Sequence, residues 1–164
     1  MNTDEKRIEV QFNLNGQDVK TEVLPGMTVL EMIRRNFKLT ATKEGCGKGE
    51  CGACSILFNG HPINSCLKLA ATLTPKDSIV TVEGLANDEL MQRIQKAYVD
   101  EGAVQCGFCI PGMTISTYSL LKNNPKPTMD EIKFALAGNI CRCTGYRKIE
   151  AAVAKAAERG EKQA

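Results

Sequence analysis

Residues 44–54 read EGCGKGECGAC. Three cysteines, Cys46, Cys51 and Cys54, fall within nine residues in the spacing CxxxxCxxC, and a fourth, Cys66, follows after eleven intervening residues. A chain that offers three thiols over so short a stretch has to curl tightly round whatever they bind. Gly45, Gly47, Gly49 and Gly52 permit that curl, because glycine accepts positive φ and lets the backbone come close to a ligand. Amides brought near sulfur in this way stabilise its negative charge. Lys43 and Lys48 beside the loop either add positive potential there or are solvated surface, the second being the commoner case.

Four further cysteines form a second set: Cys106 and Cys109 as CxxC, thirty-one residues, then Cys141 and Cys143 as CxC. All eight thus divide four and four between the halves of a 164-residue chain. Halves of about 80 residues have small cores, and chains of that size often rely on metals or disulfides as staples. The start, MNTDEKRIEV, has neither a secretory nor a twin-arginine pattern, and no apolar run is long enough for a membrane span. The expected location is the cytoplasm, where thiols stay reduced and eight cysteines point to metal or redox chemistry.

Working outward from the loop, Ile8, Val10, Phe12 and Leu14 alternate with polar residues as in a half-buried strand. Asn15-Gly16 is a hairpin signal, so Val19–Leu24 reads as the returning strand. Thr28 and Glu31 form a capping box that opens a helix with Val29, Leu30, Ile33 and Phe37 on one face. Ser55–Phe58 and Ile79–Val82 read as short strands, giving a small mixed sheet crossed by one helix. Strand periodicity stops near Glu83–Asp88.

Beyond that point the pattern is helical. Leu90, Ile94, Ala97 and Tyr98 share a stripe, and Pro111 opens a second helix running through Leu121. The segment NNPKP ends it. Thr128 and Glu131 cap a third helix carrying Ile132, Leu136 and Ile140; Ile149, Ala152, Val153 and Ala156 mark a fourth. The polar tail ERGEKQA is expected to fray. Each cysteine pair of this half stands at a helix end, so an antiparallel helix pair gathers the four sulfurs. Helix N-termini also favour thiolates. The expected division is 1–83 and 84–164.

Little other chemistry is available. Twenty-one basic and nineteen acidic residues, without a basic run, give no electrostatic case for nucleic acid. The single histidine, His61, lies in NGHPIN and reads as a surface loop residue. No Ser-His-Asp or Cys-His set can be assembled. Tyr98, Tyr118 and Tyr146 read as packing residues, and the glycine-rich loop lacks the nucleotide-binding patterns.

Two four-thiol sites have two chemical readings. Zinc takes four thiolates, which makes a zinc-stabilised interaction module one alternative. The other is a pair of [2Fe–2S] clusters. CxC and CxxxxCxxC are unusual zinc-ribbon spacings, and the three-cysteine part of the first set resembles plant-type ferredoxins. Two redox centres without substrate machinery imply an electron relay, either a free-standing two-cluster carrier or part of a larger enzyme.

The full order, EGCGKGECGACSI with a nearby fourth cysteine, then VQCGFCIPG and AGNICRCTGYRKI, resembles the iron–sulfur small subunit of the molybdenum hydroxylases of the xanthine dehydrogenase and aldehyde oxidoreductase type, over about residues 7–158. The resemblance implies an α+β chain, with a β-grasp ferredoxin-like domain followed by a four-helix-bundle [2Fe–2S] domain. It implies that Cys46, Cys51, Cys54 and Cys66 hold one [2Fe–2S] cluster and Cys106, Cys109, Cys141 and Cys143 the other. The second would lie nearest a molybdopterin on a large partner subunit and the first would face FAD on a medium subunit, in a heterotrimer or a dimer of heterotrimers. Gln105 and Cys143 match positions that approach the pterin. The substrate expected for such a complex is a purine or another N-heterocycle.

Overall fold

In the computed structural model, which describes the backbone of residues 6–161 and side chains of residues 6–158, β1 (Ile8–Leu14) and β2 (Gln17–Val23) form the antiparallel hairpin that the alternation predicts. Ile8 lies opposite Val23 and Leu14 opposite Gln17. Asn15 and Gly16 both take positive φ, 53° and 85°, as the two-residue turn that matches strand twist requires. Val10, Phe12 and Leu14 point inward and are buried.

Helix α1 (Val29–Arg35) covers that face with Val29, Met32 and Ile33, while its buried Leu30 packs elsewhere, with Cys54 and Cys66. Its capping box is formed in both directions: the Glu31 amide donates to Thr28 Oγ1 at 3.1 Å, and the Thr28 amide to Glu31 Oε2 at 3.0 Å. The helix stops short of Phe37, which the helical spacing had placed on its buried face. Phe37 enters the core from the following loop instead, edge-on against Phe12 with 5.9 Å between ring centroids.

β3 (Ser55–Phe58), β4 (His61–Asn64) and β5 (Ser78–Val80) complete a five-stranded sheet in the order β2-β1-β5-β3-β4. β1 and β5 run parallel; the other neighbours are antiparallel. His61 is therefore not in a loop. The turn before it is Asn59-Gly60, with φ of 50° and 82°, a second hairpin of the same kind, and His61 opens the exposed edge strand opposite Phe58. β5 ends before Val82, because the Thr81 amide is taken by the Asn15 side chain at 2.9 Å and the chain turns into a 3₁₀ turn at Glu83–Leu85.

The second half holds four helices: α2 (Glu89–Asp100), α3 (Ile110–Asn123), α4 (Met129–Leu136) and α5 (Arg147–Glu161). Asp88 caps α2 by accepting from the Met91 amide at 3.0 Å, and Thr128 with Glu131 caps α4. α4 is shorter than its apolar spacing suggests. It ends at Leu136, and Ile140, expected on its buried stripe, lies outside the helix and is 56% exposed. Of the ERGEKQA tail, residues 162–164 lie outside the described residues, as do residues 1–5. Among the described residues no helix is long and apolar enough to cross a membrane.

The two halves have separate cores, one between the sheet and α1, the other within the helices. β3 belongs to both. Ile56 is buried in the sheet core while its neighbour Leu57 faces the helical core, so the strand reads SILF, apolar on both faces, and not as an alternation. The cap at Thr128 lies outside both cores, which makes it a clean probe of α4. Thr128→Ala is expected to lower the unfolding free energy by about 1 kcal/mol in a denaturant titration of the intact protein, because it leaves a first-turn amide without a partner; an unchanged midpoint would contradict that account of the helix start.

Candidate metal centres

The first cysteine set lies on the loop between α1 and β3, with Cys66 following β4. Cys46 and Cys51 are half-buried, whereas Cys54 and Cys66 are buried against Leu30 of α1. The loop wraps its own sulfurs with amides. Lys48 and Glu50 donate to Cys46 Sγ and Cys46 donates to Cys51 Sγ, each at 3.3 Å. Backbone N–H groups of Lys48, Glu50 and Cys51 hold the Cys46 thiol down at about 6. Burial, and after it the adjoining Cys54 thiol, pushes Cys66 up to about 11. Asn64 and Ser65 brace the inner wall, Asn64 donating to the Gly49 carbonyl at 2.7 Å and Ser65 to that of Cys54 at 2.7 Å.

The second set repeats this division. Cys109, at the N-cap of α3, and Cys141 are buried; Cys106 and Cys143 are exposed, with their sulfurs 3.4 Å apart. Burial and then the Cys141 thiol push Cys109 up to about 12. Burial also opposes ionisation of Cys141, yet the Thr144 hydroxyl and nearby amides bring it below the ordinary thiol value. Antiparallel packing of α3 and α4 places the two pairs together, as their positions at helix ends predict. Gln105 lies on the exposed side beside Cys106.

Four thiols, two inside and two at the surface, with amides aimed at sulfur, suit the donor set of a two-iron centre. Cys66 and Cys109, whose thiols burial pushes up, ionise more readily beside a cation, and a bound metal is such a cation. Among the described residues no three His, Cys, Asp or Glu side chains converge on one ion position; two irons sharing four thiolates do not require it. Lys43 donates to the Thr40 carbonyl at 2.8 Å and Lys48 is exposed, as expected of surface lysines.

A seam joins the two sets. The Ile140 amide donates to the Cys51 carbonyl at 2.9 Å, so one hydrogen bond and one peptide link connect Cys51 with Cys141. Next to it, buried Asn139 donates to the Gly52 carbonyl at 2.9 Å and accepts from Ser116 Oγ at 2.6 Å. Gly52, at φ 66°, admits this approach: a Cβ there would run into the Gly138 carbonyl and the Asn139 side chain. Asn139, Ser116 and Tyr146 were not legible as site residues. Tyr146 does more than pack, since its hydroxyl accepts from the Cys141 amide at 2.9 Å and donates to the Asn139 carbonyl at 3.3 Å. For Asn139 and Tyr146 the one signal is nearness to Cys141 in the chain; Ser116 carries none, because its partner Asn139 lies 23 residues on.

Fold and sites together define a two-module iron–sulfur electron-transfer protein. Residues 12–84 match the family described as 2Fe-2S iron-sulfur cluster binding domain, and residues 81–154 the family described as [2Fe-2S] binding domain. The chain is 46% identical to the nicotinate dehydrogenase small FeS subunit of Eubacterium barkeri, covering 93% of this chain and 97% of that protein. It is 44% identical to the xanthine dehydrogenase iron-sulfur-binding subunit of Escherichia coli O157:H7, over 87% of this chain and 89% of that one. The solved structure of quinoline 2-oxidoreductase from Pseudomonas putida 86 contains a chain that superposes with a TM-score of 0.87 at 39% identity, covering 95% of this chain and 97% of its own. The chain belongs to the small iron–sulfur subunits of the molybdenum hydroxylase family and has two [2Fe–2S]-binding domains.

The seam is testable through its glycine. Gly52→Ala is expected to destabilise the protein by about 1–3 kcal/mol through overpacking between the modules, whereas Gly47→Ala, whose Cβ meets open space, incurs only the left-handed backbone cost of about 1 kcal/mol. Thermal unfolding of both variants checks this; equal losses would show that the close approach at Gly52 is unimportant.

Proposed function

We propose that this chain relays single electrons from a molybdopterin centre on a large partner subunit to FAD on a medium subunit. The helical-domain cluster, held by Cys106, Cys109, Cys141 and Cys143, receives first; the ferredoxin-like cluster, held by Cys46, Cys51, Cys54 and Cys66, delivers onward. Thiolate-held [2Fe–2S] centres supply one-electron chemistry, which lets a two-electron oxidation on one partner feed an acceptor on another. The domains divide at 83/84, a position supported by the change from strand to helix between Val80 and Glu89.

The observation that carries this reading is the arrangement of the two thiol sets about the seam. Each set keeps two thiols towards solvent, where a partner can approach, and two inward. Ile140, bonded to Cys51 and adjacent to Cys141, links them by a short covalent and hydrogen-bonded route. Gln105 and Cys143, on the exposed side of the second set, are assigned to the pterin of the large subunit. The assembly is a heterotrimer or a dimer of heterotrimers, and eight free thiols favour the reducing cytoplasm. The substrate class is an N-heteroaromatic, a purine or a pyridine-type ring, because nicotinate, xanthine and quinoline name the enzymes of the relatives above.

Purification from the native host followed by metal, flavin and subunit analysis tests the assignment. Molybdenum and FAD should co-purify, and the complex should oxidise N-heterocycles in a panel that also contains aldehydes. A chain isolated alone, without molybdenum or flavin companions, would overturn it. Cys51→Ala is expected to halve the iron content and remove one reduced-cluster paramagnetic signal while the other stays. Loss of neither signal would exclude Cys51 as a ligand.

A further inference from the structure

The loop after Cys141 closes on itself in a way the ligand thiols alone do not require. Cys141 Sγ lies 3.2 Å from the Thr144 hydroxyl. That hydroxyl accepts from the Tyr146 amide at 3.2 Å, and the Tyr146 phenol accepts from the Cys141 amide at 2.9 Å. The Cys141 N–H, which otherwise could turn towards sulfur, is thereby occupied. Gly145 and Tyr146 hold the loop in this shape with successive left-handed conformations, φ of 65° and 67°. A tyrosine in that region is strained and persists only when its surroundings over-determine it; here its own amide and both bonds of its hydroxyl do so.

The direction of the Thr144 bond follows from the network. A metal-bound thiolate carries no proton and can only accept. The Thr144 oxygen already accepts from Tyr146, so its one proton is directed to sulfur, and the amide behind it polarises the hydroxyl further. Among the described residues this is the one side-chain hydroxyl that bonds a cysteine sulfur. The first set differs: Cys46 and Cys51 sulfurs are served by backbone amides, which no side-chain substitution removes.

We propose that Thr144 is a positioning residue that sets the reduction potential of the helical-domain centre through its hydrogen bond to Cys141. The proposal rests on Cys141 being a ligand of that centre. Reduction by one electron adds negative charge that spreads onto the ligand sulfurs. A hydroxyl dipole donating to one of them stabilises the reduced form more than the oxidised form and raises the potential. Thr144 thus makes the helical-domain centre a better acceptor for electrons arriving from the molybdenum partner, without changing the centre that passes them on.

The test is a redox titration of the complete complex, followed by electron paramagnetic resonance so that the two centres are read separately. Thr144→Val is expected to shift the reduction equilibrium of the helical-domain centre towards the oxidised form by about tenfold, equivalent to about 59 mV for a one-electron couple. The ferredoxin-like centre should keep its midpoint, and Thr144→Ser should restore the first. Thr144→Ala serves as the second variant if the added methyl disturbs the loop. Unchanged midpoints with both centres fully occupied would overturn the proposal. So would loss of the helical-domain centre in both Val and Ala variants with retention in Ser, since the hydroxyl would then serve assembly and not potential. Cys141→Ser separates the underlying assignment: an unaltered helical-domain signal in that variant would refute the ligand role itself, whereas an altered signal there beside an unmoved midpoint in Thr144→Val would sink only the tuning role.

Discussion

The contact between Asn139 and the Gly52 carbonyl is the constraint on which the remaining architecture depends. It is buried, spans 87 residues of sequence, and brings the loop bearing Cys51 and Cys54 against the segment that leads into Cys141. A buried side-chain amide without partners is costly; that of Asn139 donates to the Gly52 carbonyl, which also accepts from the Ser55 amide and hydroxyl, and accepts from Ser116 of α3. Beside that contact the Ile140 amide reaches the Cys51 carbonyl, so the loops of both thiol sets share one junction.

The same junction explains why β3 reads as it does. A strand whose sheet turns one face to solvent needs one apolar face. β3 needs two, because Ile56 packs under the sheet and Leu57 packs against the helices. The small cores on either side are therefore continuous through one strand, an arrangement suited to a chain whose halves are each near the lower size limit for independent folding. Cys109 and Cys141 lie in the helical core, and Cys54 and Cys66 pack with Leu30 of α1, so metal binding and packing are coupled in both halves.

Much of this was legible in the sequence. The Asn15-Gly16 hairpin, both capping boxes, the helical stripes and the four-and-four division of cysteines all depend on residues near one another in the chain, where backbone preference and spacing act directly. Where the structure departs from local spacing, the departures share a cause. Phe37 and Ile140 fit their helical stripes by spacing, but each helix stops earlier since the following residues find better partners elsewhere, Phe12 for the first and Cys51 for the second. His61 reads as loop because its four-residue strand is too short to show alternation, although Asn59-Gly60 carries the same hairpin signal as Asn15-Gly16.

By itself, then, the sequence determined the chemistry: eight thiols in two sets, glycines that let the first loop curl round its sulfurs, and the order of sheet before helices. These follow from residue type and local spacing. The tertiary structure alone decided how the two sets face one another, that Asn139 latches onto Gly52, and that Thr144 and Tyr146 close a ring about Cys141. Such features rest on hydrogen-bond partners chosen by three-dimensional proximity, and an asparagine or a tyrosine carries no mark in sequence of which distant carbonyl or amide it will meet.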